Sequence, residues 1–343
     1  MKYVLEPMLF AFDQDMSEQE LIDYLSELQA LDDWWNRHTE DMLVLDSQAT
    51  ALWDNNYYPM ANTLKPLMEK HDVDFIQFGD VNKIINKMLS KSTEIDTLYE
   101  GLCGMKNQSL KQPMTVKPGV KRHEELHDEL MKLLWHVFLA HEVGDYEEKS
   151  FVVITKGISE MVSVEYRYEE MVENGKDIKL EEKTGTSEVN CKCSLDDFLK
   201  DIATPYLLWK TAERKDDLDL GVRVAVLQCR GEDCMGSVYQ NYDFTIQDSF
   251  YSDYCDGHYK SKDQEIRSTI QAVTDTVTGV NPRKSHAIRT GKKGNDPQLV
   301  INDYGAQRRD ITTSIKLAYW KKGREFKIAN MKEHDFFEPS WEQ

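Results

Sequence analysis

A chain of 343 residues with 40% hydrophobic side chains is long enough for two or three domains with hydrophobic cores, and it is too apolar for a disordered protein. Six cysteines are too few for a disulfide framework, and no apolar stretch approaches the length of a membrane span. Residues 1–7 place a Glu and a Pro where a signal peptide would have its apolar run. We therefore expect a cytoplasmic protein with reduced thiols and no membrane contact.

Residues 1–147 are predicted to form an acidic helical domain. Ser17 and Glu20 have the spacing of a capping box, and apolar side chains follow them at helical intervals from Leu21. Two further apolar stripes with helical spacing begin at Val81 and at Leu126. The stretch 111–121, with two prolines and a glycine, is predicted to be a loop.

Residues 148–237 are predicted to form a mixed α+β module. The run 151–154 is apolar, and residues 162–168 alternate between apolar and polar side chains, as in a half-buried strand. The dipeptide 174–175 is Asn-Gly, a hairpin turn signal. Ser194 is predicted to cap a short helix that ends near Pro205, and 222–227 is predicted to be a strand.

Residues 238–343 are predicted to form a third domain, an antiparallel sheet packed on two helices. The predicted order is a strand, two helices and several further strands, and the turn 321–324 joins the last two strands into a hairpin. The whole chain is therefore predicted to be an α+β protein. The predicted elements are the strand 243–246, the helices 249–259 and 263–278, and the strands 286–289, 309–312, 315–320 and 326–331.

The charge is distributed unevenly along the chain. Although the net charge is −19, residues 260–332 contain 16 lysines and arginines against 7 acidic residues, a balance of +9. A basic segment in an acidic protein is typical of a surface that binds a polyanion such as RNA or another nucleic acid. The alternative is that this segment docks onto the acidic part of the same chain.

The C-terminal domain resembles the RelE/ParE toxin superfamily in the order and length of its elements. The phrases at 307–311 and 315–319, QRRDI and IKLAY, resemble the paired central strands of that family, and 326–334 resembles its last strand, which ends in a basic residue and a His. Asn281 and Pro282 match the loop after the second helix. The resemblance covers under a third of the chain.

The resemblance implies metal-independent RNA cleavage, with no cofactor and no metal. His334 corresponds to the catalytic His of the YoeB-like branch, while Lys316 and Arg309 would stabilise the charge of the phosphorane. The chain departs from that branch in three places: Lys316 replaces an Arg, His286 falls near its glutamate, and Asp335 replaces its terminal Tyr. The further residues expected to bind nucleic acid are Arg289, Arg308, Lys292, Lys293 and His286.

Three other patterns compete with this interpretation. The stretch 123–127 matches the H-E-x-x-H pattern of zinc proteases, although charged residues surround it. Cys191 and Cys193, together with Cys229 and Cys234, could supply four thiolates to zinc, but their spacings are unusual. A nuclease site of the PD-(D/E)xK type could use the acidic residues of the central strands, which are Glu165, Asp177, Glu181 and Glu182, with Lys183.

Two functions therefore stay open at this point. The first is a bacterial toxin or antiviral defence protein whose RelE-like domain is an endoribonuclease acting on RNA, with the ribosome as a further partner. The second is a non-catalytic subunit of a bacterial defence complex that uses the same domain to bind nucleic acid or a protein. The role of residues 1–237 does not follow from the sequence.

Overall fold

The computed structural model describes residues 1–100, 103–158, 161–174, 177–231, 234–257, 259–291, 296–333 and 339–342. Its contacts divide the chain into two compact units, Met1–Phe198 and Leu199–Gln343, called here the N-terminal and C-terminal units. This division falls at a different place from the predicted boundaries after residues 147 and 237. Both units combine helices with a sheet, which confirms the predicted α+β class.

The N-terminal unit is built on a seven-stranded sheet with the order β3-β2-β1-β5-β7-β6-β4. The first five strands of this order run parallel, whereas β6 and β4 are each antiparallel to the neighbour before them. Strands β1 and β5 lie in the middle, and their side chains are largely buried. The strands are β1 (Lys2–Leu5), β2 (Met42–Val44), β3 (Thr93–Glu94), β4 (Cys103–Leu110), β5 (Phe151–Ile154), β6 (Met161–Asn174) and β7 (Asp177–Lys192).

Three helices of this unit, α1, α4 and α5, carry the predicted apolar stripes on their buried faces. The capping box that opens α1 is present, since Glu20 N–H donates to Ser17 Oγ and Ser17 N–H donates to Glu20 Oε2. Ser194 Oγ likewise accepts from Asp197 N–H at the start of α6. The helices are α1 (Glu18–Arg37), α2 (Ser47–Asp54), α3 (Ala61–Lys70), α4 (Phe78–Lys91), α5 (His127–Glu142) and α6 (Leu195–Asp201), and the boundary between the two units falls within α6.

The prediction of a purely helical domain over residues 1–147 is therefore wrong, because the described part of this stretch contains the strands β1 to β4 as well as helices. Strands β1 and β2 lie inside a parallel sheet. Their sequences are therefore brief apolar runs that lack the alternation typical of a half-buried strand. The alternating segment 162–168 behaves as expected and lies in β6, which forms a long antiparallel hairpin with β7.

The C-terminal unit contains a six-stranded sheet with the order β10-β11-β12-β13-β8, in which β9 also pairs with β11. The predicted hairpin of the last two strands is confirmed, and all pairs are antiparallel except β8 with β13. The strands are β8 (Phe244–Ile246), β9 (Ser285–Ala287), β10 (Val300–Ile301), β11 (Tyr304–Asp310), β12 (Ile315–Lys322) and β13 (Glu325–Glu333).

The described residues of this unit form five α-helices, including the two predicted ones, α10 and α11. The predicted strand 222–227 is wrong: these residues lie within α8, where nearly every side chain from Leu218 to Leu227 is buried. A helix buried on all sides has an unbroken apolar sequence and resembles a buried strand. Pro205 begins a helix instead of ending one. The helices are α7 (Pro205–Lys210), α8 (Lys215–Arg230), α9 (Met235–Asn241), α10 (Asp248–Asp256) and α11 (Asp263–Val277).

Candidate functional site

Three of the predicted site residues lie on the paired strands β11 and β12. Arg308 pairs with Ala318, Arg309 with Leu317, and Asp310 with Lys316. Successive residues of a strand point to opposite faces, and directly paired residues share a face. Arg308 and Lys316 therefore lie on one face of the sheet, whereas Arg309 lies on the other.

Arg309 is engaged in the interior of the C-terminal unit. Its side chain is only 2% exposed, and its Nη2 donates to Asp275 Oδ2 of α11 at 2.8 Å. Its Nη1 donates to the carbonyl of Val280 at 3.1 Å. The guanidinium thus connects the sheet to the end of α11, and no phosphate could approach it without displacing α11.

Lys316 is also largely buried and already paired. Its Nζ lies 2.9 Å from Asp310 Oδ1 and donates to the carbonyl of Thr313 at 3.1 Å. The charge predicted to stabilise a phosphorane is therefore balanced by a carboxylate. His334, Lys292 and Lys293 lie outside the described residues.

The other predicted residues lie at the outer strand β9, together with two cations that the predictions missed. His286 is exposed and pairs with Arg308 of β11, and Arg289 is exposed just beyond the strand. Arg283 and Lys284 are exposed in the short 3-10 turn that precedes β9. We call the following five side chains the basic edge: Arg283, Lys284, His286, Arg289 and Arg308. The two missed cations, Arg283 and Lys284, had a signal in the sequence, because they form an Arg-Lys pair directly after the Asn-Pro loop.

The cations of the basic edge are mostly open to solvent. Arg283 and Lys284 form no ion pair with any residue in the described part of the chain, and Arg289 Nη1 donates only to the backbone carbonyl of Asp296 at 2.5 Å. Solvated cations on an outer strand can bind phosphate without first breaking a salt bridge.

Comparisons with protein-family models, with curated proteins and with solved structures found no match to the chain. The RelE/ParE resemblance of the C-terminal part consequently stays a prediction. None of the helices in the described ranges has the length and apolar character needed to cross a bilayer.

The H-E-x-x-H pattern does not form a metal site in the described part of the chain. His123 precedes a short 3-10 turn and His127 begins α5, so the two imidazoles of the H-E-x-x-H pattern do not share a helix face. His123 instead stacks on Tyr57, with ring centroids 3.9 Å apart. Among the described residues, no group of three or more His, Cys, Asp or Glu side chains could hold a metal ion.

Neither the thiols nor the central carboxylates support the other two predicted sites. Burial raises the pKa of the Cys191 thiol, which disfavours the thiolate that zinc requires. Glu165 pairs with Thr186, five residues along β7 from Glu181, a distance of roughly 16 Å. Lys183 forms an ion pair with Glu170. The side chain of Asp177 lies outside the described residues.

A crevice in the N-terminal unit was not predicted. It lies where the chain leaves β1 and β5, and it is lined by residues that follow both strands, including Met8, Asp13 and Lys156. From β1, the strand order continues to β2 and β3 on one side and to β5 and β7 on the other. Such a switch point, at the carboxyl ends of parallel strands, is where sheets of this kind bind ligands.

A buried ion pair holds the two strand ends beside this crevice. Glu6 follows β1 and is fully buried; its carboxylate accepts from the Arg122 guanidinium and, at 2.8 Å, from the Lys156 N–H. Arg122 also donates to the Lys156 carbonyl. The network fixes the backbone of Lys156 relative to β1, so the shape of the crevice is set before any ligand binds.

Proposed function

We propose that the protein binds RNA through the basic edge of its C-terminal unit. The observation that supports this most strongly is the exposure of four basic side chains in the turn before the outer strand β9, in β9 and just beyond it, which are Arg283, Lys284, His286 and Arg289. Phosphate contacts from arginine and lysine supply most of the affinity of nucleic-acid-binding proteins. The RelE/ParE resemblance supports RNA as the nucleic acid and a bacterial defence complex as the setting.

The arrangement favours binding over cleavage. Metal-independent cleavage needs cations that can reach the scissile phosphate and are not neutralised beforehand. Arg309 is buried against Asp275, and Lys316 is paired with Asp310 on the opposite face of the sheet. A non-catalytic nucleic-acid-binding subunit is therefore the function that the geometry supports best.

The test is fluorescence anisotropy of the full chain with a short labelled single-stranded RNA between about 50 and 200 mM salt. The affinity of the wild type should fall steeply as salt rises, because each neutralised phosphate releases counterions. The variant Arg283→Glu/Lys284→Glu should bind about tenfold more weakly or worse, with a shallower salt dependence.

A matched control separates local contacts from overall charge. Lys65 and Lys70 are exposed on α3, so Lys65→Glu/Lys70→Glu changes the net charge by the same amount in the other unit. This control should bind nearly as well as the wild type. Equal losses in both variants, or no loss in either, would show that the basic edge is not the binding surface.

The same samples test cleavage. After incubation with free RNA, and separately with ribosomes carrying mRNA, the RNA should stay intact on a denaturing gel. Cuts that appear with the wild type and disappear in Lys316→Ala would instead support the endoribonuclease function.

A further inference from the structure

The crevice between β1 and β5 has the size and lining of a small-molecule site. It encloses about 240 Å³. Pockets for drug-sized ligands run from roughly 300 to 1,000 Å³, so this one suits a molecule closer to an amino acid in bulk. The apolar part of its lining consists of Met8, Ala11, Met16 and Val120, together with the ring of Tyr24.

Most charged groups of the crevice are already satisfied by the protein. Asp13 pairs with Lys121, and Glu20 accepts the N–H of Ser17 in the capping box. Asp23 accepts from Gln19 Nε2 at 2.9 Å. These groups gain little from a ligand because they already have partners.

Besides the exposed carboxylate of Asp15, two half-buried charged side chains in the same space lack such partners. Neither the carboxyl group of Glu27 nor the ammonium group of Lys156 forms a hydrogen bond or an ion pair with any residue that the structure describes. Lys156 Nζ lies 6.0 Å from the ring centroid of Tyr24, and Tyr24 lies one helical turn from Glu27 in α1. A cation and a carboxyl group therefore face one cavity without forming a direct ion pair with each other.

We propose that this crevice binds a small zwitterion, an α-amino acid with an apolar side chain. The ligand carboxylate pairs with the Lys156 ammonium, and the ligand ammonium pairs with the Glu27 carboxylate. The apolar side chain packs against Met8, Met16 and Val120. One ligand thereby supplies both missing partners, which neither a simple amine nor a simple carboxylate could do.

The ionisation of Glu27 couples this binding to pH. Burial raises the pKa of Glu27 to about 7; Asp196 and Asp23 add to the increase, while Lys156 opposes it. Burial lowers the pKa of His123, so this imidazole stays neutral near pH 7. A ligand ammonium beside Glu27 favours the carboxylate, so binding near pH 7 should release a proton. Affinity should fall as the pH drops below about 7.

The first measurement is the thermal shift of the full chain with L-leucine, L-isoleucine, L-valine, L-methionine and L-phenylalanine. At least one should raise the melting temperature, and calorimetry should then give its dissociation constant. For L-leucine, the matched analogues are isoamylamine, which lacks the carboxylate, and 4-methylpentanoate, which lacks the ammonium. Each should bind about tenfold more weakly or worse, because each loses one charged hydrogen bond. The absence of a shift with every amino acid overturns the proposal.

Two variants assign the charged partners. Lys156→Met should abolish the preference for the amino acid over the amine, whereas Glu27→Gln should abolish its preference over the carboxylate together with the proton release. Lys65→Met, at an exposed position on α3, is the control for a lost lysine. Circular dichroism should show that all three variants fold. Unchanged preferences in both crevice variants would place the amino acid elsewhere and overturn the site.

Discussion

The guanidinium of Arg309 and the carboxylate of Asp275 meet at 2.8 Å in the interior of the C-terminal unit, with their side chains 2% and 10% exposed. The pair connects β11 to α11, and Asn281 Nδ2 reaches the same carboxylate oxygen at 3.3 Å. A residue expected to meet a phosphate is thus part of the protein's internal framework.

We expect Arg309→Met to lower the free energy of unfolding by about 3–5 kcal/mol, because it leaves the buried Asp275 carboxylate without its cation. The double variant Arg309→Met/Asp275→Leu should recover most of this loss, since it removes both charges. Urea unfolding measures both values. If Arg309→Met keeps its stability but loses RNA binding, the guanidinium serves the ligand and not the fold.

The Glu6–Arg122 pair of the N-terminal unit should behave in the same way. Arg122→Met leaves the fully buried Glu6 carboxylate with the Lys156 N–H as its remaining partner, and it should cost about 3–5 kcal/mol in urea unfolding. The neighbouring Lys121 is 68% exposed and pairs with Asp13. Lys121→Met should cost less than about 1 kcal/mol, as is usual for a surface pair. Similar costs for the two variants would contradict the buried role of Arg122.

Gly157 allows the loop before Arg122 to pack against the end of β5. Its φ is 79°, and a Cβ at this position would lie 2.6 Å from Val120 Cγ1. Gly157→Ala should therefore cost about 2 kcal/mol or more, from both the left-handed backbone and the contact. Gly119 has a φ of 83° but open space around it, so Gly119→Ala should cost only about 1–2 kcal/mol. Adding Val120→Ala to Gly157→Ala should recover only part of the loss, because the Cβ of residue 120 still lies 2.9 Å from the new methyl group. No recovery at all would show that the backbone alone is responsible.

Glu27 should make the stability of the N-terminal unit depend on pH. Its pKa in the folded chain is raised to about 7 from the ordinary value of 4.5. The protonated form is therefore favoured by folding, and the stability it contributes is present below about pH 4.5 and is lost as the pH rises through about 7. Relative to the wild type, Glu27→Gln should gain stability progressively between these two pH values, on the order of 2–3 kcal/mol in total, and should keep this gain above about pH 7. A constant difference across this range in urea unfolding would contradict the raised pKa.

The sequence predicted those elements whose signal is local. The capping box of α1 and the hairpin of β12 and β13 each depend on neighbouring residues, so pattern alone was sufficient. Strands β1 and β2 were not predicted, because a strand of three or four residues inside a parallel sheet has no alternation of apolar and polar side chains. The strand predicted at 222–227 was wrong because the β-branched side chains of this segment favour a strand, whereas the segment lies in a helix that is buried on all sides.

The candidate sites depended on pairings that no local pattern contains. Arg309 looked like a surface cation because its partner, Asp275, belongs to a helix earlier in the chain. The crevice groups Glu27 and Lys156 come from α1 and from the end of β5, and only the order of strands in the sheet brings them together. Arg283 and Lys284, in contrast, could have been chosen from the Arg-Lys pair that follows the Asn-Pro loop.

The parallel pairing of β8 with β13 has a consequence for synthesis on the ribosome. Residues 244–246 find their partners only at 326–328, whereas the sheet of the N-terminal unit is complete once Lys192 has been made. At about 5–20 residues per second, β8 waits for several seconds with its backbone unpaired. The N-terminal unit can bury its core during that interval, while β8 remains accessible to chaperones that bind short apolar segments of nascent chains.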